Sequence, residues 1–255
     1  MSPDLLATVI DRAGGAALWS RIGQLRAHLT IGGPIWASKG WPAGQTFDQM
    51  VTLDPKAQRI RFSPFTLPDR WMEFDAVADT VTLQPFDGSP AEVLSSPRAS
   101  FTGMLRSSPW DAAHLGYFLG YACWNYLTSP FLFAYPGVLT HELDPWREAG
   151  QSWRRLAVTF PPTIATHSPK QVFYFDHDGV QRRMDYIAEV NGSALVGHYS
   201  TRFRDFGGLQ IATRRRVFRR TPDNTVNLNV ASITLDIHDV ELDFSADNEI
   251  GMASP

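Results

Sequence analysis

The polar residues that stand out in this chain are those set inside otherwise apolar stretches. They are Asn125 in Tyr121-Ala122-Cys123-Trp124-Asn125-Tyr126, Glu142 just after an apolar run, His167 in Thr166-His167-Ser168, Arg182 and Tyr186 in one segment, and His198-Tyr199 in the next. A polar group buried without a partner costs on the order of 1–3 kcal/mol, so each needs a structural or chemical role. A histidine in dry surroundings can move a proton near neutral pH, and a tyrosine or arginine beside it can stabilise a developing oxyanion. On that logic His198 is the leading acid–base candidate, with Tyr186, Arg182, Glu142 and His167 as partners; adjacent hairpin strands would bring Arg182 or Tyr186 within its reach. The plainer roles are a core histidine bonded to a backbone carbonyl, and for Glu142 an ion pair with a neighbouring arginine.

The rings Trp110, Tyr121, Trp124, Tyr126, Trp146 and Tyr199 could stack an aromatic ligand or could simply fill a core. Asn125 and Arg214 are the polar contacts expected beside them. Arg214-Arg215-Arg216 with Arg219-Arg220 is the basic cluster of the chain. On a strand Arg214 and Arg216 share one face and Arg215 takes the other, so only part of the cluster can meet a carboxylate or phosphate. A solvated sheet face is the default reading.

Several reaction classes are disfavoured. The sequence has no G-x-x-x-x-G-K-[ST], no G-x-G-x-x-G after a strand, no H-E-x-x-H and no G-x-S-x-G, which argues against nucleotide hydrolysis, dinucleotide redox and zinc proteolysis. His141-Glu142 has no second histidine at helical spacing. Asp176-His177-Asp178-Gly179 lacks the further oxygen ligands of a calcium loop and reads as a turn. No cofactor and no metal is expected. A formal charge of −3 gives no pull toward phosphate backbones or anionic membranes, so nucleic acid is a poor partner and a small molecule a better one. The single cysteine, Cys123, rules out an internal disulfide and reads as an inert core thiol.

The N-terminal residues carry no basic leader, and their apolar stretch is broken by Asp11 and Arg12, so a cytoplasmic protein is expected. Residues 115–140 contain no Asp, Glu, Lys or Arg and are long enough to span a membrane. Pro130, Pro136, Asn125 and several glycines and tyrosines argue instead for a buried helix followed by an apolar loop.

The elements that must position these residues can be read in order. Leu5, Leu6, Val9, Ile10 and Ala13 recur at helical spacing behind Asp4, a cap, and Gly14-Gly15 ends that helix. Period-two segments follow at 25–31, 33–39, 46–53, 59–65, 70–75 and 80–85, an antiparallel meander broken at Asp54-Pro55 and Asp87-Gly88. Pro109-Trp110-Asp111 opens a helix to about Leu127 that carries rings on nearly every face and is therefore buried all round. Residues 128–151 read as loop with another helical turn. Strands resume at 154–160, 171–176, 180–190, 194–204, 209–218, 226–229 and 232–244. In 180–190, Val180, Met184, Tyr186, Ala188 and Val190 form a dry face and Gln181, Arg183, Asp185 and Glu189 a wet one, with Arg182 as an exception on the dry side.

No repeat or compositional break divides the chain. One domain over 1–255 is expected, with an aromatic helical insertion at about 109–151 and a polar tail at 245–255. The fold class is mainly β (α+β), a curved antiparallel sheet or incomplete barrel wrapped around helices with an apolar cavity.

The run Gln171-Val172-Phe173-Tyr174-Phe175-Asp176, a turn at Gly179, a strand with Arg182-Arg183, His198-Tyr199 on the next strand and Phe206-Gly207-Gly208-Leu209 resembles the bacterial lipoprotein carriers of the LolA/LolB-like half-barrel fold. The resemblance covers 1–244 as pattern and is specific over about 155–217. It implies a hydrophobic cavity between sheet and helices. The violacein-pathway enzyme that rearranges an indole intermediate is similar to these carriers in fold, which implies that such a cavity can host chemistry. Two functions are therefore expected: cofactor-independent acid–base chemistry (cyclisation, isomerisation or elimination) on a small hydrophobic or aromatic metabolite, or non-catalytic binding of a lipid or aromatic molecule.

Overall fold

The computed structural model describes residues 4–245. Two antiparallel meanders make one sheet. The first contains β1 (Ile22–Gly32), β2 (Phe47–Asp54), β3 (Arg59–Ser63), β4 (Arg70–Asp75), β5 (Thr80–Pro85) and β6 (Glu92–Ser95). The second contains β7 (Leu139–Glu148), β8 (Gln151–Thr159), β9 (Lys170–Phe175), β10 (Gln181–Ala188), β11 (Ala194–Phe206), β12 (Leu209–Arg219) and β13 (Ile233–Phe244). Pairing of β1 with β13 joins the two meanders into a 13-stranded sheet, while β6 and β7 remain its two edges, so the sheet curves without closing.

Among the described residues four α-helices accompany it: α1 (Leu5–Arg12), α2 (Ala16–Arg21), α3 (Ile35–Ser38) and α4 (Ala112–Thr128). Asp4 caps α1 by accepting from the Leu6 amide at 2.8 Å, and Asp111 caps α4 by accepting from the His114 amide at 2.8 Å. Every residue from Leu115 to Thr128 is buried, so α4 lies inside the curve of the sheet with no face toward water. It packs chiefly on β3, β4 and β5. Gly116 and Gly120, one turn apart, set that approach: a Cβ on Gly120 would come within 2.6 Å of Phe74 Cβ, and one on Gly116 within 2.9 Å of Met72 Cγ. At the other end of the fold, Gly14 meets the turn between β11 and β12, where its absent Cβ would lie 2.5 Å from the Gly208 carbonyl oxygen. Two of the Gly-Gly pairs in the sequence, Gly14-Gly15 and Gly207-Gly208, thus touch each other.

Four local expectations change. Residues 33–39 turn into α3 rather than a strand, which drives Trp36 into the core against Phe47 and Phe118. Residues 139–148 form the edge strand β7 rather than a loop; they are largely exposed, so no dry face marked them in the sequence. The helical turn expected before it is present at Phe131–Ala134. Residues 226–229 are not a strand; Val226 crosses the outer face of the sheet where Gly197 leaves room for it. The outer face of β10 is not wet either, because Arg183 and Asp185 are buried there. Of the tail expected at 245–255, all but Ser245 lies outside the described residues. No helix among the described residues is long and apolar enough to cross a membrane.

The glycine contacts give a ranked expectation. Alanine gains up to about 1 kcal/mol over glycine in a helix, but at Gly120 the added methyl meets the fixed Cβ of Phe74, and overpacking of this kind costs about 1–3 kcal/mol. Gly120→Ala is expected to destabilise the fold. Gly116→Ala, which meets Met72 Cγ at 2.9 Å and Val81 Cγ1 at 3.1 Å, is expected to destabilise less, because the Met72 side chain can shift. Urea midpoints measured side by side check the order.

Candidate functional site

Between α4 and strands β10 to β12 lies a sealed polar network. His167 stands between two phenols, with Tyr121 Oη 3.1 Å from Nδ1 and Tyr126 Oη 2.7 Å from Nε2. A neutral imidazole has one donor and one acceptor, so one phenol must accept and the other donate. The Tyr186 ring stacks on His167 with centroids 3.9 Å apart and planes 6° from parallel. Burial, with the Arg98 charge second, pulls the His167 pKa from 6.5 down to about 3.

His198 is fully buried one strand away, edge-on to Tyr126 at 4.8 Å, and neither of its ring nitrogens has a hydrogen-bond partner. Burial first, then the charge of Arg215 and the proximity of His167, holds its pKa well below the usual value. Both histidines are therefore neutral at pH 7.

The sequence-level candidates divide between the two faces of the sheet. His198, His167, Tyr186, Tyr126, Tyr121 and Asn125 come together inside. Asn125 accepts from Gln58 at 3.2 Å and donates to the Ala165 carbonyl at 3.1 Å, which ties α4 to the 160–169 segment. Trp124 donates to the Asp54 carbonyl at 2.8 Å, and Trp110 packs against Phe101 and Phe118 beneath the Lys39 ammonium; both are core side chains.

Glu142, Arg182, Trp146, Tyr199 and Arg214 lie outside and cannot share a site with His198. Glu142 on β7 pairs with Arg154 at 2.7 Å. Arg182 is not on the dry side: a register shift between Gln181 and Arg183 turns it outward, where its Nε donates to Asp176 at 2.7 Å. Asp176 Oδ1 also accepts from the Asp178 and Val180 amides, so the Asp176–Gly179 segment is a side-chain-stabilised turn.

Trp146 and Tyr199 surround Arg183 on the outer face instead of lining a cavity. Arg183, 1% exposed, makes a two-pronged contact with Asp185 at 2.7 and 2.8 Å and reaches Glu148 at 2.6 Å, and Tyr199 donates to Glu148 at 2.5 Å. Arg214 faces out, and its neighbour Arg215 is the one that points into the concave side. The alternation signal was present, because Arg215 shares its parity with the buried Ile211 and Val217.

The α4 rings fill most of the hollow that the curved sheet would otherwise enclose. A ligand-sized space, the seam groove, lies where loops of the two meanders face each other. A groove of about 450 Å³ runs between the β4–β5 turn, near Ala76 and Asp79, and the 160–169 segment. Its walls and floor are Phe74, Tyr117, Phe160, Pro161 and Ile164. Arg98 is the fixed polar group at its end: Nη1 donates to the Thr166 carbonyl at 2.9 Å and to Tyr117 Oη at 3.3 Å, and Nη2 pairs with Glu189. Nothing in the sequence around Arg98 signalled this role, because a loop with no periodicity places it.

The chain matches no protein-family model. No curated protein sequence matches it either. Solved structures do share the fold. A domain from Vibrio parahaemolyticus designated as outer membrane lipoprotein-sorting superposes with a TM-score of 0.54 at 12% identity, covering 98% of this chain and 92% of that one. A LolA superfamily protein from Nitrosomonas europaea gives 0.53 at 10% identity, covering 95% and 94%. The chain therefore has a LolA-like half-barrel fold, similar in architecture along almost its whole length.

Two expectations follow from the network. His167→Leu strands the Tyr121 and Tyr126 hydroxyls and is expected to cost about 2–4 kcal/mol, whereas His198→Leu removes two unpaired polar atoms and is expected to be neutral or stabilising. Because both imidazoles titrate lower when folded, the unfolded chain binds more protons below pH 6.5. Stability is then greatest above that pH and falls between pH 7 and pH 5, by about 2 kcal/mol for His167 and in the same direction for His198. Denaturant melts of the parent and His198→Leu at both pH values check this; the variant should lose less than the parent.

Proposed function

We propose that this protein binds a small hydrophobic molecule in the seam groove and holds it without transforming it. The observation that carries this reading is the groove itself: about 450 Å³, within the range of small-molecule sites, floored by aromatic and apolar side chains and bounded by one oriented arginine. Its position supports the same reading, since there the core rings of Phe74 and Tyr117 border a space between loops of the two meanders. Non-catalytic binding is favoured over acid–base chemistry by the state of the interior histidines. Among the described residues neither has a carboxylate partner, both are held neutral by burial, and His167 is bonded to two phenols and is not among the residues that line the groove. Catalysis near pH 7 asks for a group that titrates near that pH and can touch a substrate.

A neutral solvatochromic dye, Nile red, tests the reading on the full chain. Saturable binding is expected. Ile164→Asp, which sets a charge in the groove wall, is expected to weaken it at least tenfold, while Val77→Asp, on the adjacent turn and 82% exposed, leaves it unchanged. Equal dye affinity in all three proteins, with their melting temperatures alike, contradicts the proposal.

A further inference from the structure

The two fully enclosed arginines of the sheet are treated in opposite ways. Arg183, on the outer face, has Asp185 and Glu148 as counter-charges. Arg215, on the concave face and 4% exposed, has none among the described residues. Its Nη1 donates to Ser200 Oγ at 3.1 Å and its Nη2 to the Tyr126 carbonyl at 3.1 Å, and the guanidinium lies 4.9 Å from the centre of the Tyr126 ring. All these partners are neutral, and Nε has no partner at all. A guanidinium carries five N–H donors, so this one keeps three uncommitted. A buried cation left without an anion is costly, by several kcal/mol in real proteins, and such a charge is normally paired.

Arg215 also lines a small pocket at the end of the half-barrel, distinct from the seam groove. The pocket holds about 40 Å³, room for a few waters. Val9 of α1, Ala13 at the end of that helix, Phe175 of β9 and Ile211 of β12 make its apolar wall, Gln181 adds an amide, and Arg12 is a further lining residue. No aspartate or glutamate is among its lining residues. Two cations, no acid, one uncommitted guanidinium edge and a surround of apolar side chains describe a receptor for a carboxylate joined to an apolar body.

We propose that this pocket is an anion site, in which Arg215 receives the carboxylate of a small organic acid whose apolar portion lies against α1 and β12. The guanidinium edge supplies in-plane N–H donors of the geometry a carboxylate accepts. The Ser200 and Tyr126 bonds hold that edge in place before the ligand arrives, so little conformational freedom is lost on binding.

The test compares propionate with propan-1-ol on the full chain by calorimetry and thermal shift; three carbons match a pocket that holds a few waters. Propionate is expected to bind at least tenfold more tightly than propanol. Arg215→Gln is expected to remove that difference. Ile211→Phe, which enlarges a side chain on the same strand face as Arg215 and leaves Arg215 in place, is expected to abolish propionate binding and serves as the deciding variant if Arg215→Gln does not fold. Ile164→Asp, in the seam groove, is expected to leave propionate binding unchanged, which separates this site from the one proposed above. Equal affinity for acid and alcohol, no propionate binding to the parent, a preference that survives Arg215→Gln, or propionate binding unaffected by Ile211→Phe would each overturn the assignment.

Discussion

The contact on which the rest of the structure depends is that of α4 with β3, β4 and β5. An unclosed sheet has one apolar face that must be covered, and a curved one wraps whatever covers it. Here the cover is a single helix with rings on all sides, brought into contact with the sheet because Gly116 and Gly120 offer no Cβ to Met72 and Phe74. That placement pushes Tyr117 toward the seam, Tyr121 and Tyr126 toward His167, and the opposite side of the helix toward β11 and β12. The seam groove, the sealed imidazole–phenol network and the Arg215 pocket all follow from where one helix sits inside one curve.

The polar groups of the interior fall into two energetic classes. His167, Asn125 and Gln58 are bonded to partners on other elements and tie α4 to the 160–169 segment, which closes one wall of the groove. His198 and Arg215 sit one strand apart with polar atoms that no protein group satisfies. In a well-packed core each such atom weakens the fold. Their concentration on neighbouring strands, with none of the compensation given to Arg183 on the opposite face of the same sheet, is the asymmetry from which the anion site is argued.

Much of the architecture was legible in the sequence, because strands with one buried face alternate and a helix buried all round carries rings at every position. The meanders, α1 with its Asp4 cap and α4 with its Asp111 cap could be placed that way. Other elements carried no such mark: β7 is exposed along most of its length, and α3 is a single turn set by the chain reversing after Gly32-Gly33. The site was legible in part for a related reason. His167, His198, Tyr186 and Asn125 were found because polar residues in apolar runs must be accommodated. Arg182 was misplaced because the register shift in β10 reverses inward and outward, and no local composition announces a bulge. Arg214 was chosen over Arg215 although parity with Val217 favoured the latter. Trp146, Tyr199 and Glu142 were drawn into the hollow only because the second, outer cluster around Arg183 was not anticipated.

The account as a whole rests on α4 staying seated, so that a neutral hydrophobic ligand meets the protein at the seam and not beneath the helix. Intermolecular NOEs between Nile red and a methyl-labelled sample test this directly. Contacts to the methyls of Ile164 and Ala76, with none to Met184 or Val217, are the expected result. Contacts to Met184 and Val217 would show that the helix lifts from β10–β12 to admit the ligand, and would contradict it.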